Sequence, residues 1–126
     1  MNNLLRHICI QKATQIFKHS NVKRAKVSAI AISRGGKIIA FTTNRRIYGD
    51  KHRFTQHAEE RLIIKLQKIK AFQRFGKITI LVIRFNSRGI AMAKPCLDCQ
   101  RILSQYNTEV FYTANDGLIK RLRMSN

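Results

Sequence analysis

Two short segments of this chain concentrate the residues able to do chemistry. His57-Ala58-Glu59 offers an imidazole and a carboxylate, and Pro95-Cys96-Leu97-Asp98-Cys99 offers two thiols. Cys96 and Cys99 are three positions apart, so on a helix they share a face and can meet a single ion. His57 supplies a third donor from a separate segment. Three protein ligands leave one position of a tetrahedral zinc open, which distinguishes catalytic from structural zinc. Two thiolates balance the charge of the dication, and a helix N-terminus favours the thiolate form. Glu59 lies two residues from His57 and cannot share its helical direction, so it is expected beside the open position. A carboxylate there takes a proton from activated water and passes it to a substrate ring nitrogen. That arrangement suits hydrolytic attack on an amidine-like carbon with loss of ammonia. Taken alone, C-x-x-C also fits a redox pair or half of a structural zinc site made of four cysteines. The first wants a thioredoxin-like order of elements, and the second needs another pair where only Cys9 remains.

The elements that must position these residues are legible in the hydrophobic pattern. Leu4, Leu5, Ile8, Cys9, Ala13, Ile16 and Phe17 recur at helical spacing and predict an opening amphipathic helix, ended by Ser20-Asn21. Cys9 falls on its apolar stripe and reads as a packed core thiol. Residues 27–32 form a nearly continuous apolar run, a buried strand. Arg34-Gly35-Gly36-Lys37 supplies a turn, and 37–43 returns as the second strand. Residues 44–56 read as a polar, basic loop. A helix is predicted from about His57 to Phe72, with Leu62, Ile63, Leu66 and Ile69 on its apolar stripe and Gly76 breaking it. Residues 78–85 are the most strand-like run, followed by a turn at 86–89. Pro95 opens the next helix, where its missing N–H costs nothing. Residues 110–114 read as a fourth strand, and Asn115-Asp116-Gly117 as the cap of a short final helix. The order α-β-β-α-β-α-β-α predicts one domain over 1–126, with a mixed sheet covered by helices on both faces.

Composition bounds the partners. Lys and Arg number 25 against 6 Asp and Glu, a formal charge of +19, in 126 residues of which 44% are apolar. Strong self-repulsion of this kind points to nucleic acid, nucleotides or an anionic surface as partner. The bland alternative is a solubilising surface, since no block of five like charges marks a tail. Three cysteines exclude a disulfide scaffold, and no apolar run approaches the ~18 residues of a membrane span. The N-terminus lacks a secretory apolar region, so an intracellular location, cytoplasmic or nuclear, is expected, with no membrane partner.

H-A-E followed by P-C-x-x-C resembles the signature of zinc-dependent cytidine and deoxycytidylate deaminases and their polynucleotide-editing relatives. The matching element order covers about residues 4 to 122. The resemblance implies His57, Cys96 and Cys99 as Zn2+ ligands and Glu59 as proton shuttle. It implies a three-layer α-β-α sandwich with a four- to five-stranded mixed sheet, the fifth strand to come from Met92-Ala93 or the C-terminal segment. Asn44, at the end of the second strand, is similar to a family residue that contacts the substrate sugar. Phe54 stands where an aromatic residue lines the base pocket, and Ala58 is carried over as a third substrate contact. The implied reaction converts cytosine to uracil in a nucleoside or nucleotide such as deoxycytidylate. Phe54-Thr55 before the histidine resembles the deoxycytidylate enzymes. The +19 charge, and Tyr48, Arg53 and Phe54 near the pocket, favour instead a polynucleotide substrate, cytosine in single-stranded DNA or RNA or adenosine in tRNA. A non-enzymatic nucleic-acid module with structural zinc is a third reading, against which Glu59 counts. Relatives of this kind are commonly homo-oligomers.

Overall fold

The computed structural model describes residues 3–16, 26–48 and 53–123. In chain order the elements are α1 (Asn3–Ile16), β1 (Lys26–Ile32), β2 (Ile38–Thr43), β3 (Arg45–Tyr48), β4 (Arg53–Gln56), α2 (Ala58–Lys68) and α3 (Ala71–Phe75), then β5 (Ile78–Asn86), β6 (Gly89–Ala91), α4 (Leu97–Ser104), β7 (Thr108–Thr113) and β8 (Ile119–Arg121). The main sheet runs β2-β1-β5-β7-β8, with β6 added to β5. Only the β5–β7 pairing is parallel; the others are antiparallel. A mixed α/β sheet is what the sequence predicts, but it has six strands rather than four or five.

Alternation along the central strands builds two cores. Ala29 and Ala31 of β1, with Ile78, Ile80 and Val82 of β5, pack against Leu62, Ile63 and Leu66 of α2 and Leu103 of α4. Ile30, Ile32, Leu81 and Ile83 point the other way, onto Cys9 and Ala13 of α1. Successive residues of a strand face opposite sides, so an unbroken apolar run can feed both layers at once. The small alanines of β1 face α2, which brings that helix, and the His57-Ala58-Glu59 segment at its start, close to the sheet. Cys9 is fully buried, the packed thiol its position on the stripe predicts.

Three local predictions are corrected. The segment 44–56 is not simply a loop: β3 and β4 pair as an antiparallel two-stranded sheet, with Ile47 opposite Phe54. Interspersed arginines mask the strand signal there. The helix expected over 57–72 is two helices, because Lys70 adopts a left-handed conformation (φ 54°) that no helix continues through. Gly76 (φ 69°) then ends the second, as its type suggests. The short final helix is a strand. Gly117 (φ 80°) turns the chain, Leu118 N–H donates to Asp116 Oδ1 at 3.0 Å, and β8 pairs back on β7. Asp-Gly is a hairpin signal as much as a cap, and three apolar residues fit either period. The two short segments named as sources of a missing strand lie beside or within β6 and β8.

Candidate metal centre and its cavity

Two helix starts converge to make the site. His57 is the residue before α2, extended at φ −73° and ψ 147°, and Arg61 N–H donates to its carbonyl in the first turn. Cys96 holds the same place before α4, at φ −68° and ψ 167°. Pro95 therefore sits one residue outside the cap rather than in the first turn. Its carbonyl accepts from Gln100 Nε2 at 2.9 Å, which ties the approach to α4. Thr42 Oγ1 donates to the Ala58 carbonyl at 2.6 Å and fastens the start of α2 to β2.

His57 Nδ1 lies 3.2 Å from Cys99 Sγ and 3.7 Å from Cys96 Sγ. All three donor atoms fall within 4.8 Å of one another, and among the described residues this is the one such group. Tetrahedral zinc, with bonds of about 2.3 Å to sulfur and 2.0–2.1 Å to nitrogen, places its donors about 3.5–3.8 Å apart. One nitrogen–sulfur distance falls within that range and the other 0.3 Å short of it, so the donor set fits zinc in kind and nearly in spacing.

A cavity of about 250 Å3 opens onto the group. Asn44, His57, Ala58, Glu59, Arg84, Lys94 and Cys96 line it, with Val27, Met92 and Ala93. His57 and Cys96 are exposed to it, whereas Cys99 is buried behind them. Glu59 is only 5% exposed, in the first turn of α2. Burial raises its carboxyl above the ordinary value, and hydrogen bonding to backbone and the nearby His57 oppose the rise. Burial, and then the negative charge of Glu59, push the Cys99 thiol up. Both groups are thus disfavoured as anions by burial, a cost that a dication would relieve.

Asn44 is buried at 6%, and its Oδ1 accepts from Val27 N–H at 3.0 Å, which fixes the amide plane at the cavity wall. Ala58 lines the cavity and is fully buried. Phe54 lies in β4; its side chain, like those of Tyr48 and Arg53, is outside the described part. Glu60 is half-buried and does not line the cavity. Asp98 is in the first turn of α4 and pairs with Arg101 at 3.6 Å, fully at the surface. Arg84 and Lys94 line the cavity and were not singled out from sequence. Arg84 sits mid-strand among apolar residues, and an isolated cation in an otherwise buried run was the available signal.

Thiol reactivity checks this arrangement. Cys9 is fully enclosed and its pKa is pushed up to about 11 by burial. The zinc-loaded protein should therefore react slowly with iodoacetamide at all three cysteines. After chelation the exposed Cys96 should react first, and denaturant should release all three. Because folding favours the neutral Cys9 thiol, stability should decline as pH rises from the ordinary thiol range towards 11. Mass spectrometry showing Cys9 labelled as fast as Cys96 would contradict the buried position.

A mixed sheet layered with helices thus presents a His-Cys-Cys group at two helix starts. The chain belongs to the family of the cytidine and deoxycytidylate deaminase zinc-binding region, whose model matches residues 5–114. It is a zinc-dependent deaminase of that type. Among solved structures its fold is similar to cytidine deaminase from Burkholderia pseudomallei, with TM-score 0.65 and 17% identity over 98% of this chain and 94% of that one. The cytidine deaminases of Mycobacterium leprae and Mycobacterium tuberculosis follow, with TM-scores 0.58 and 0.54 and identities 15% and 19%. They are covered over 88% and 81% of their lengths, and cover 89% and 86% of this chain. At such identities the likeness concerns the fold. No curated protein matches the sequence significantly. Among the described residues no helix is long and apolar enough to cross a membrane.

Proposed function

We propose that the protein converts cytosine to uracil in a nucleotide such as deoxycytidylate, with His57, Cys96 and Cys99 holding Zn2+ and Glu59 moving the protons. The observation that carries this reading is the buried Glu59 carboxylate in the same small cavity as two of the three donors. Zinc, when bound, supplies the Lewis acidity that makes water a nucleophile at neutral pH. Glu59 accepts a proton from the attacking water and delivers it to the ring nitrogen beside the reacting carbon. A carbon–oxygen bond forms at C4; Glu59 then takes the remaining proton from that hydroxyl and hands it to the exocyclic amine, and as the carbonyl forms the carbon–nitrogen bond breaks and ammonia leaves. Ala58 offers a wall without bulk for the flat ring, and the fixed Asn44 amide stands where a sugar hydroxyl would meet it.

The anionic part of the substrate has its own support. Arg84 and Lys94 line the cavity, and Arg84 Nε is buried without a hydrogen-bond partner among the described residues. A buried donor of this kind is costly unless something fills it, and a phosphate oxygen is the acceptor that suits a guanidinium. Arg84→Met should lower kcat/KM for deoxycytidylate by about 10- to 100-fold, as the loss of a hydrogen bond to a charged group implies, and affect deoxycytidine much less. Equal loss on both substrates would remove Arg84 from phosphate recognition.

The test of the whole reading is a substrate panel. Zinc-loaded protein is incubated with cytidine, deoxycytidine and their monophosphates, and ammonia release is followed with the mass change of the base. Turnover strongest on a monophosphate is the expected result. No turnover on any cytosine compound would sink the proposal.

A further inference from the structure

A second cavity, more than twice the volume of the first, lies along α2. It is a groove of about 620 Å3, lined by Phe41, Thr42, Thr43, Arg45, Gln56 and, from α2, Arg61, Ile64, Lys65 and Lys68. Arg61, Lys65 and Lys68 are spaced by four and three residues, so they share one helix face. Arg45 joins them from the first residue of β3. No carboxylate lines the groove, and none of these four cations is ion-paired among the described residues.

Two of the four cations are held in place. Arg61 Nη1 donates to the Thr43 carbonyl, and Lys65 Nζ donates to the Phe41 carbonyl at 3.4 Å. Lys65 Nζ also stands 5.2 Å from the centre of the Phe41 ring, with Lys12 Nζ 4.8 Å from the same ring. Burial, and the like charge of Arg45, lower the pKa of the Arg61 guanidinium. Positive charges are thus gathered in a recess where no described residue provides a counter-charge. Ile64, 41% exposed, adds an apolar patch to the lining.

The groove adjoins the catalytic cavity through the backbone. Thr43 and Gln56 line the groove, and the residues that follow them, Asn44 and His57, line the cavity. The occupant must carry repeated negative charge. A second copy of this chain fails that requirement, because a two-fold contact would set the same cations against each other. A phosphodiester chain meets it, each neutralised phosphate adding affinity through counterion release. A single strand fits better than a duplex, since a base must leave its stack to reach a cavity of this size.

We propose that this groove binds the phosphate backbone of a single-stranded nucleic acid and leads it past the mouth of the catalytic cavity. The second half rests on the cytosine-deaminase reading; the first half does not. Recognition is of the backbone and carries no sequence preference by itself.

Binding of a fluorescent oligothymidylate, which contains no cytosine, to the zinc-loaded full chain tests the groove apart from catalysis. Anisotropy should show binding at low salt that weakens steeply as salt rises. The double variant K65Q/K68Q should bind more weakly, and its slope of log affinity against log salt should be shallower by about 1.4, at about 0.7 per phosphate contact on a single strand. K37Q/K120Q removes the same charge from exposed positions, in the turn before β2 and in β8 at the opposite sheet edge. It should change the slope by less than half as much. Equal losses in the two double variants would reduce the effect to diffuse charge and overturn the proposal. So would absence of binding at low salt, or binding to phosphatidylserine vesicles without binding to the oligomer. Turnover of deoxycytidine and deoxycytidylate by the same preparation separates the two readings. Groove-dependent binding without turnover keeps the groove and loses the deaminase substrate, and turnover without binding does the reverse.

Discussion

Glu59→Gln lowers kcat on the preferred cytosine substrate by at least about 100-fold while the protein keeps its full complement of zinc. Positioned proton transfer contributes about 100- to 10,000-fold to such reactions, and an amide of the same shape can neither accept nor return the proton. Glu59 is not among the metal-donor group, so elemental analysis should find metal content unchanged. Stability should not suffer either. A carboxylate only 5% exposed, with its pKa raised by burial, is costly to keep charged in the fold. The neutral amide escapes that cost, and the melting temperature of the variant should equal or exceed the parent's. A variant that keeps more than a tenth of the parent rate would take Glu59 out of the proton path. A variant that loses zinc would make its role structural.

Cys96→Ser and Cys99→Ser each lower zinc affinity by more than about 100-fold, since loss of outer hydrogen-bond partners alone costs about 10- to 100-fold at such sites. The two variants then part company. Cys96 is exposed at the cavity, so its replacement should cost little beyond the metal. Cys99 is 3% exposed, packed at the first turn of α4, so a serine there buries a hydroxyl in a thiol's place. In the metal-free state Cys99→Ser should therefore melt below Cys96→Ser, by an amount that reflects about 1–3 kcal/mol for a buried unsatisfied polar group. Removing zinc from the parent with a chelator should lower its melting temperature, and adding zinc back should restore it, because an ion bound only by the folded state stabilises it. Dialysis followed by metal analysis and calorimetry reads all three effects. Parent-like zinc content in either variant would break the three-ligand set.

The basic surface and the catalytic cavity bear on each other. Arg84 and Lys94 sit inside the small cavity, whereas Arg45, Arg61, Lys65 and Lys68 line the larger groove beside it. A free nucleotide needs only the first pair. A strand would use both, with one phosphate near Arg84 and its neighbours along α2. Comparing turnover of deoxycytidylate with that of a short oligonucleotide containing one cytosine would show which set of cations the chemistry depends on.

The His-Cys-Cys group, the nearby carboxylate and the mixed sheet were legible in the chain alone. Cys96 and Cys99 lie within one helical turn, and Glu59 lies beside His57, so short-range spacing carries that information. The apolar runs 27–32 and 78–85 likewise divide their side chains into two sets, one for each face of the sheet, because successive strand residues point to opposite sides. The tertiary structure decided the rest. Asp116-Gly117 is compatible with a helix cap and with a hairpin, and only the free edge of β7 selects the strand. Lys70 enters a left-handed turn that its residue type does not announce. Arg84 reads as one charge in an apolar strand until the sheet places it opposite Val27 and against the cavity. Arg45 is remote in sequence from Arg61, Lys65 and Lys68, and their common groove exists only because α2 packs across β1 and β2. Local periodicity is written into neighbouring residues, but a cavity is made by segments far apart in the chain, and their meeting depends on packing that no single segment encodes.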